Sequence, residues 1–457
     1  VSGGPVTVEL VEPDRAEEAQ HRVAGALAAG GIGPGQRVVF CLGSSADLLL
    51  CVLGAARCGV VPVLLNATLL PAERRPLVAD ADPVLVVSER AGLGPLLAGP
   101  VGELAPYPLV RPMHYTSGTT GRPKGVWSGV LEPAEARALF EDEADLWDFD
   151  GADTHLVCSP LYHSVSVRMA GAALLRGGRV VVLSHFEAGA ALGALERFAP
   201  TTTFMAPAVL RRLLRHPGAP ARWPSLRRLV HAGAPCPAPL KREAMARVGP
   251  GVVWEFYGAT EGQFTVCGPD EWLRHPGTVG RARPGRRLEV DPDGVVWCHA
   301  PGFARFAYWG DPAATARAWR GDAFTVGDLG RLDAEGRLTL EGRRDDLLIS
   351  GGVNVYPVEV EAALAELPGV AEVAVFGVED EAWGERVCAA VVGEVEEADL
   401  RRHAAARLAP YKRPKDYVVV DELPRTGTGK LRRRDLARLL GLGPATGGTG
   451  PHSPTGG

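Results

Sequence analysis

The residues whose types and spacing could do chemistry sit in a few short segments. Tyr115-Thr-Ser-Gly-Thr-Thr-Gly-Arg-Pro-Lys-Gly125 gathers hydroxyls, glycines and one lysine between apolar flanks. Hydroxyls and free backbone N–H groups on a loop of small residues suit a polyphosphate, which needs many donors, little bulk and a cation. It is not a Walker loop, because Lys124 is followed by Gly125 and preceded by Pro123. On composition alone, a plain solvated loop accounts for it equally well. Lys430 ends the run Pro424-Arg-Thr-Gly-Thr-Gly-Lys430 and is followed by Arg432, Arg433 and Arg434, which taken alone reads as a basic solvated loop. Glu261, in Tyr257-Gly-Ala-Thr-Glu261, reads by itself as a surface acid. His163, after an apolar strand, reads by itself as a core histidine.

These segments need a scaffold, and the patterning supplies an α/β one. Ala16 to Ala29 has helical apolar spacing, Arg37 to Cys41 reads as a buried strand, Ala46 to Ala56 as a helix and Val60 to Leu65 as a strand. Pro71 to Ala79 is a further helix and Pro83 to Val87 a further strand. The rhythm returns with strands at Thr154 to Ser159, Arg179 to Leu183, Thr203 to Met205 and Leu229 to Ala232, and a helix at Val165 to Leu175. Strands alternating with helices predict βαβ units and parallel sheets. Gly294 to Leu340 is strand-rich. Beyond Arg343 a smaller mixed region follows, with helices at Glu359 to Leu367, Asp399 to Leu408 and Arg433 to Leu440, and strands at Glu372 to Val378, Val387 to Val392 and Tyr417 to Val420. The predicted organisation is a large body over 1–343, a small α+β domain over 344–440 and a disordered Gly/Pro/Thr/Ser-rich tail over 441–457.

Composition narrows the class. Hydrophobic residues are 46% and charged residues 23% of the 457, close to a globular average, which excludes wholesale disorder. Lys and Arg number 49 against 54 Asp and Glu, so the net charge of −5 argues against a general nucleic-acid binder. The cysteines (Cys41, Cys51, Cys58, Cys158, Cys236, Cys267, Cys298, Cys388) form no C-x-x-C pair and read as reduced, mostly buried thiols of a cytoplasmic protein. The most apolar stretch, Leu48 to Leu65, is broken by Arg57, Gly59 and Pro62, so no membrane insertion is expected.

The order of residues in the Tyr115–Gly125 loop resembles the phosphate-loop signature of the adenylate-forming superfamily: acyl- and aryl-CoA ligases, carrier-protein adenylation domains and firefly luciferase. The resemblance continues in chain order. Pro160-Leu-Tyr-His163 is similar to the segment beside the acyl pocket, and Ala232-Gly-Ala-Pro235 to the adenine-side turn. Tyr257-Gly-Ala-Thr-Glu261 is similar to the adenine-stacking and metal-binding segment, and Gly327-Asp328 to the ribose-binding acid. Gly342-Arg-Arg-Asp-Asp346 resembles the interdomain hinge, and Pro424 to Lys430 the segment of the mobile catalytic lysine.

The resemblance implies a two-step reaction. A carboxylate attacks the α-phosphorus of ATP to give acyl-AMP and pyrophosphate, and a thiol then displaces AMP. It assigns Thr116, Ser117, Gly118, Thr119, Thr120, Gly121 and Lys124 to the phosphates, Thr260 to the α-phosphate and Glu261 to Mg2+. Gly233, Ala234, Pro235, Tyr257 and Gly258 would bind adenine, Asp328 and Arg343 the ribose, and Gly351 and Gly352 a pantetheine tunnel for CoA. Lys430 would bridge the attacking carboxylate and the α-phosphate, and the small domain would be a mobile lid hinged at Asp345. His163 would adjoin the substrate carboxylate.

Two departures from the family pattern stand out. The usual Thr before the ribose-binding acid is Val326, and Trp127-Ser128 stands where a His-bearing segment often follows the phosphate loop. The candidate acyl-pocket residues His163, Val165, Ser166, Met205, Ala232, Gly233, Gly258 and Ala259 are small or apolar, which favours an aryl or medium-chain acid. Asp346-Leu-Leu-Ile-Ser-Gly-Gly-Val-Asn-Val-Tyr-Pro357 resembles the post-hinge segment of CoA ligases. The expectation is an AMP-forming acid–thiol ligase using ATP, Mg2+ and CoA, a monomer or homodimer. The alternative is an adenylating enzyme that passes its substrate to a carrier protein, an amine or another nucleophile.

Overall fold

A computed structural model describes residues 5–116, 123–343, 346–350, 353–380, 383–425 and 431–442. The chain divides into two compact units, one of residues 1–326 with 330–340, the other of 327–329 with 341–457.

The first unit is a large α/β body built on two six-stranded sheets. In one, Arg179–Leu183, Thr154–Val157, Thr202–Phe204, Arg228–His231 and Val253–Glu255 run parallel, and Val8–Val11 adds an antiparallel edge. The run Val180-Val181-Val182 is fully buried, as expected of a strand covered on both faces. In the other sheet, Met113–Thr116, Val61–Leu64, Arg37–Phe40 and Leu85–Val87 are parallel. Lys124–Trp127 then turns antiparallel to Met113–Thr116, and Ala307–Tyr308 antiparallel to Lys124–Trp127. The strand-rich stretch forms a smaller antiparallel sheet of Arg287–Val290, Val296–His299, Ala323–Phe324 and Trp319–Arg320.

The apolar stretch from Leu48 resolves as expected. Ala46–Arg57 is a helix capped by Ser45, whose Oγ accepts from Leu48 N at 3.1 Å, and Val61–Leu64 is a strand. The helix is apolar all round because it is buried all round. Its neighbour Pro13–Ala29 approaches across Gly54, where an added Cβ would lie 2.8 Å from Val23 Cβ. Among the described residues, no helix is long and apolar enough to cross a membrane.

The second unit is α+β. A long hairpin of Val370–Asp380 and Gly384–Gly393 is joined by Asp416–Val419, parallel to the second strand, and by Leu348–Ser350 with Val353–Val355. Helices Pro357–Leu364 and Glu397–Arg407 pack their apolar residues onto it, Val360, Leu364 and Leu400 being fully buried. The helix predicted over Arg433 to Leu440 is shorter: Arg433–Asp435 is a tight 3-10 turn and only Leu436–Leu439 is α-helical. The Arg433 guanidinium reaches Glu361 and the Val375 carbonyl instead of continuing a solvated helix face. Of the predicted tail, residues 443–457 lie outside the described residues.

Candidate active site

The first sheet delivers three candidate segments at the C-terminal ends of its parallel strands, where α/β folds bind ligands. Thr154–Val157 leads to Pro160–His163, Arg228–His231 to Gly233–Pro235, and Val253–Glu255 to Tyr257–Glu261. His231 and Glu255 are register partners, so the last two segments leave the sheet side by side.

Local geometry explains the small residues. Gly233 has φ +87°, a left-handed conformation that favours glycine; Ala234 and Pro235 are exposed beside it. Gly258 bridges to Gln263, and Ala259 N donates to Gly262 O at 2.9 Å, so Thr260 and Glu261 form the tip of a tight loop. An added Cβ on Gly258 would lie 2.8 Å from Gly262 O. Tyr257 is largely buried against Phe264, ring centroids 4.8 Å apart. His163 caps the helix Ser164–Leu175 from its N-terminal side, half-buried beside the Tyr162 ring.

The second sheet delivers the Gly/Thr/Ser loop. It connects two antiparallel strands whose register pairs Thr116 with Lys124 and Tyr115 with Gly125. The first hydroxyl and the lysine of the motif are thereby brought opposite one another. Ser117, Gly118, Thr119, Thr120 and Gly121 lie outside the described residues. Lys124 Nζ lies 4.9 Å over the Tyr308 ring, and Tyr308 Oη donates to Glu261 Oε1 at 2.9 Å. Burial, and then the Glu261 charge, push the Tyr308 phenol well above its ordinary pKa, so it remains a donor.

Arg111 holds the Thr260–Glu261 tip from behind. Its Nη2 donates to Thr260 O at 2.8 Å and its Nη1 to Glu261 O at 3.4 Å. Burial brings its pKa down to about 10, still charged at neutral pH. Behind it, Asp142 and Glu143 at the end of the helix Pro133–Ala144 meet Arg283, Arg286 and Arg168. Glu143 stays below the usual carboxylate range because the Arg168 and Arg283 charges outweigh its burial. A narrow cleft beside Thr260 is lined by Arg111, His114, Trp127, Ser164 and Arg168.

Tyr308, Arg111, Arg168 and His114 were not expected from the sequence. Only the antiparallel pairing that returns Ala307–Tyr308 to Lys124–Trp127 reveals Tyr308. The helical spacing of Ser164 and Arg168 behind His163 was a signal that could have drawn attention to both.

Asp328 opens the strand Asp328–Leu332 and is nearly buried, and Arg343 ends the partner strand Leu338–Arg343. Arg425 and Leu431, on either side of residues 426–430, pair as an isolated bridge, and Arg432 N donates to Pro424 O at 2.9 Å. Lys430, Asp345, Gly351 and Gly352 lie outside the described residues.

The Glu261 carboxylate is buried and is the candidate ligand for a magnesium ion. Among the described residues, no group of three or more His, Cys, Asp or Glu could hold a metal. Mg2+ keeps its waters and takes one or two carboxylates together with substrate phosphates, so a single oriented carboxylate is a donor set that suits it. Glu261 Oε1 is oriented by Tyr308, and the neighbouring Thr116–Lys124 strand pair suits the phosphates.

The chain was also compared with known proteins. Residues 14–102 and 111–303 match the AMP-binding enzyme family, and residues 359–430 match the AMP-binding enzyme C-terminal domain. Indoleacetate–CoA ligase of Aromatoleum aromaticum is 32% identical, the match covering 92% of this chain and 91% of that protein. The o-succinylbenzoate coenzyme A synthetase of Bacillus subtilis, in complex with ATP and magnesium ion, superimposes with TM-score 0.80 at 28% identity, over 92% of this chain and 93% of the other. The amide bond synthetase McbA from Marinactinospora thermotolerans gives TM-score 0.83 at 28% identity, over 93% and 94%. The chain belongs to the AMP-binding enzyme family and carries that family's C-terminal domain.

Proposed function

We infer that this protein is an ATP-dependent acid–CoA ligase that works through an acyl-adenylate. The observation that carries the reading is the linked set Lys124–Tyr308–Glu261 with Arg111 behind Thr260. It places a cation, a hydroxyl and an oriented carboxylate around one point, as attack of an anion on a triphosphate demands. The 32% identity to a CoA ligase over nearly the whole chain supports CoA as acceptor.

Thr116 and Lys124 bind the β- and γ-phosphates, with the loop residues 117–121 between them. Thr260 orients the α-phosphate, and Glu261 holds Mg2+, which supplies positive charge to the phosphate oxygens when bound. Gly233 to Pro235 and Tyr257 bracket adenine, Asp328 and Arg343 take the ribose, and His163 borders the substrate carboxylate. Lys430 neutralises the attacking carboxylate and the α-phosphate during the first step. The second unit acts as a lid turning at Asp345, after which Gly351 and Gly352 line the way for the CoA thiol. The eight free cysteines support a reducing, cytoplasmic setting.

A second reading, transfer of the acyl group to an amine, is favoured by the likeness to an amide bond synthetase. Acid-dependent exchange of pyrophosphate into ATP, followed by addition of either CoA or an amine, tests both. Exchange followed by CoA-dependent release of AMP supports the CoA ligase. Release of AMP with an amine alone supports the second reading, and no exchange with any acid rejects both.

A further inference from the structure

Three buried ionisable groups behind the candidate nucleotide segments take no part in the reaction described above. The chain holds five lysines among its 49 Lys and Arg residues, and Lys241 belongs to no candidate motif. Lys241 is fully buried. Its Nζ donates to Glu255 Oε2 at 2.6 Å and lies 4.6 Å over the buried Trp272 ring. His231, also fully buried, has its Nε2 4.0 Å from the same oxygen. Neither of its ring nitrogens makes a hydrogen bond among the described residues. Burial, and then the Lys241 charge, hold the His231 pKa well below its ordinary value, so this ring is neutral. Burial raises the Glu255 pKa, and the Lys241 charge opposes that. Lys241 is therefore the cation that answers Glu255 among the described residues.

His231 and Glu255 end neighbouring parallel strands in register. Leu229 and Val253, two residues earlier on the same face, enter an apolar core with Leu240 and Ala244. The ion pair thus sits at the end of an otherwise apolar face. Beyond His231 the chain makes the Gly233–Pro235 turn and starts the helix Ala238–Val248. Lys241 lies in the first turn of that helix, its N–H donating to Pro237 O at 3.1 Å. Pro237 gives this helix no side-chain cap. Beyond Glu255 the chain runs through Phe256 into Tyr257–Glu261. Glu255 is held from its other side by Cys267, through N–H···O bonds of 3.0 and 2.7 Å. The Lys241–Glu255 contact therefore ties the helix that follows one candidate adenine segment to the strand that precedes the other. An apolar pair would fill this face without the desolvation that a buried ion pair costs, so stability alone does not account for the ions. A short charged hydrogen bond adds a fixed direction and distance.

We propose that Lys241 is a positioning residue for nucleotide binding: through Glu255 it sets the spacing between the Gly233–Pro235 turn and Tyr257. This rests on the reading above that these two segments bracket adenine, and it adds a residue that acts on them from the core without touching the nucleotide. The compact lysine ammonium suits the place, since the planar fork of an arginine would have to find partners for its further donors in the apolar core.

The test measures the binding of AMP and of inorganic pyrophosphate by titration calorimetry, together with kcat for pyrophosphate release at saturating ATP. Lys241→Met removes the cation and keeps the bulk. Its Kd for AMP should rise about tenfold or more, while its Kd for pyrophosphate and its kcat stay within about threefold of the wild type, because only the adenine side is displaced. Lys241→Met also leaves the Glu255 carboxylate buried without its partner, which destabilises the fold. The double variant Lys241→Met, Glu255→Leu is therefore measured beside it. The apolar pair should recover the urea midpoint and leave AMP binding weak. Unchanged AMP binding in the double variant, recovery of AMP binding along with the midpoint, or equal weakening of AMP and pyrophosphate each overturns the proposal and leaves the nucleotide reading intact. A wild-type protein that binds no AMP overturns that reading and the proposal with it.

Discussion

Tyr308 donates its phenolic hydrogen to Glu261 Oε1 across 2.9 Å, from a strand paired with the one that carries Lys124. The Lys124 ammonium lies over the same ring. One two-residue strand, far along the chain from both, therefore ties Lys124 and Glu261, the residues proposed to meet the phosphates and the metal, to each other.

Tyr308→Phe keeps the ring and removes the hydrogen bond. A hydrogen bond to a charged group contributes about 1.5–3 kcal/mol. The Mg2+ concentration for half-maximal pyrophosphate release should rise about tenfold or more. An unchanged Mg2+ titration would show that the contact does not orient Glu261.

Glu261→Gln removes the carboxylate proposed to hold Mg2+ while keeping the shape. Pyrophosphate release should fall by about two orders of magnitude at fixed Mg2+, in line with the loss of a contact that stabilises transition-state charge. Full activity of the unaltered protein in excess chelator would remove magnesium from the account.

Arg111→Met leaves two loop carbonyls without their donors and Glu143 with less compensation. Removing one partner of a buried hydrogen bond costs about 1–3 kcal/mol. Both the denaturation midpoint and pyrophosphate release should fall, whereas Arg111→Lys should restore stability more than activity, since a point charge cannot hold both carbonyls. Equal behaviour of the two variants would contradict the clamp.

Acid should destabilise the body before its carboxylates titrate. His155 is buried with Nδ1 at 2.9 Å from Thr202 Oγ1, and burial brings its pKa down to about 4; His114 and His231 shift in the same direction. Unfolded histidine binds a proton below about pH 6.5 while the native ring stays neutral, so stability falls as pH drops from about 6.5 to the folded pKa. For His155 the full loss is about 3 kcal/mol. Urea midpoints at pH 7 and pH 4.5 should differ less in His155→Gln than in the wild type. An identical difference would place the acid sensitivity elsewhere.

The candidate segments were legible in the sequence because they are contiguous motifs. The turn at Gly233 and the tip at Thr260 are each a strand end followed by residues whose backbone geometry restricts the choice, as the positive φ of Gly233 and the crowding at Gly258 show. The βαβ rhythm was legible for the same reason, since fully buried strands such as Val180 to Val182 are unbroken apolar runs. What the sequence hid is non-local. Tyr308 reaches Glu261 only through an antiparallel edge pairing, and Arg168 looks like any helix-surface arginine until Glu143 is brought within 3.7 Å of it. The final helix was overread at Arg433, whose side chain turns inward to Glu361.

Lys430→Ala should separate the two steps. Acyl-AMP formation should fall by two to four orders of magnitude, about 3–5 kcal/mol for a transition-state charge contact. Transfer from preformed acyl-AMP to CoA should persist. Equal impairment of both steps would make Lys430 a shared or structural residue.

The central claim is activation of a carboxylic acid followed by thioester formation. The most direct measurement incubates the protein with ATP, Mg2+, CoA and a panel of mono- and dicarboxylic acids, and quantifies nucleotides and thioesters by mass spectrometry. The account predicts AMP and acyl-CoA in equal amounts with at least one acid. ADP as the nucleotide product, or AMP formed from an accepted acid without any CoA thioester, would contradict it.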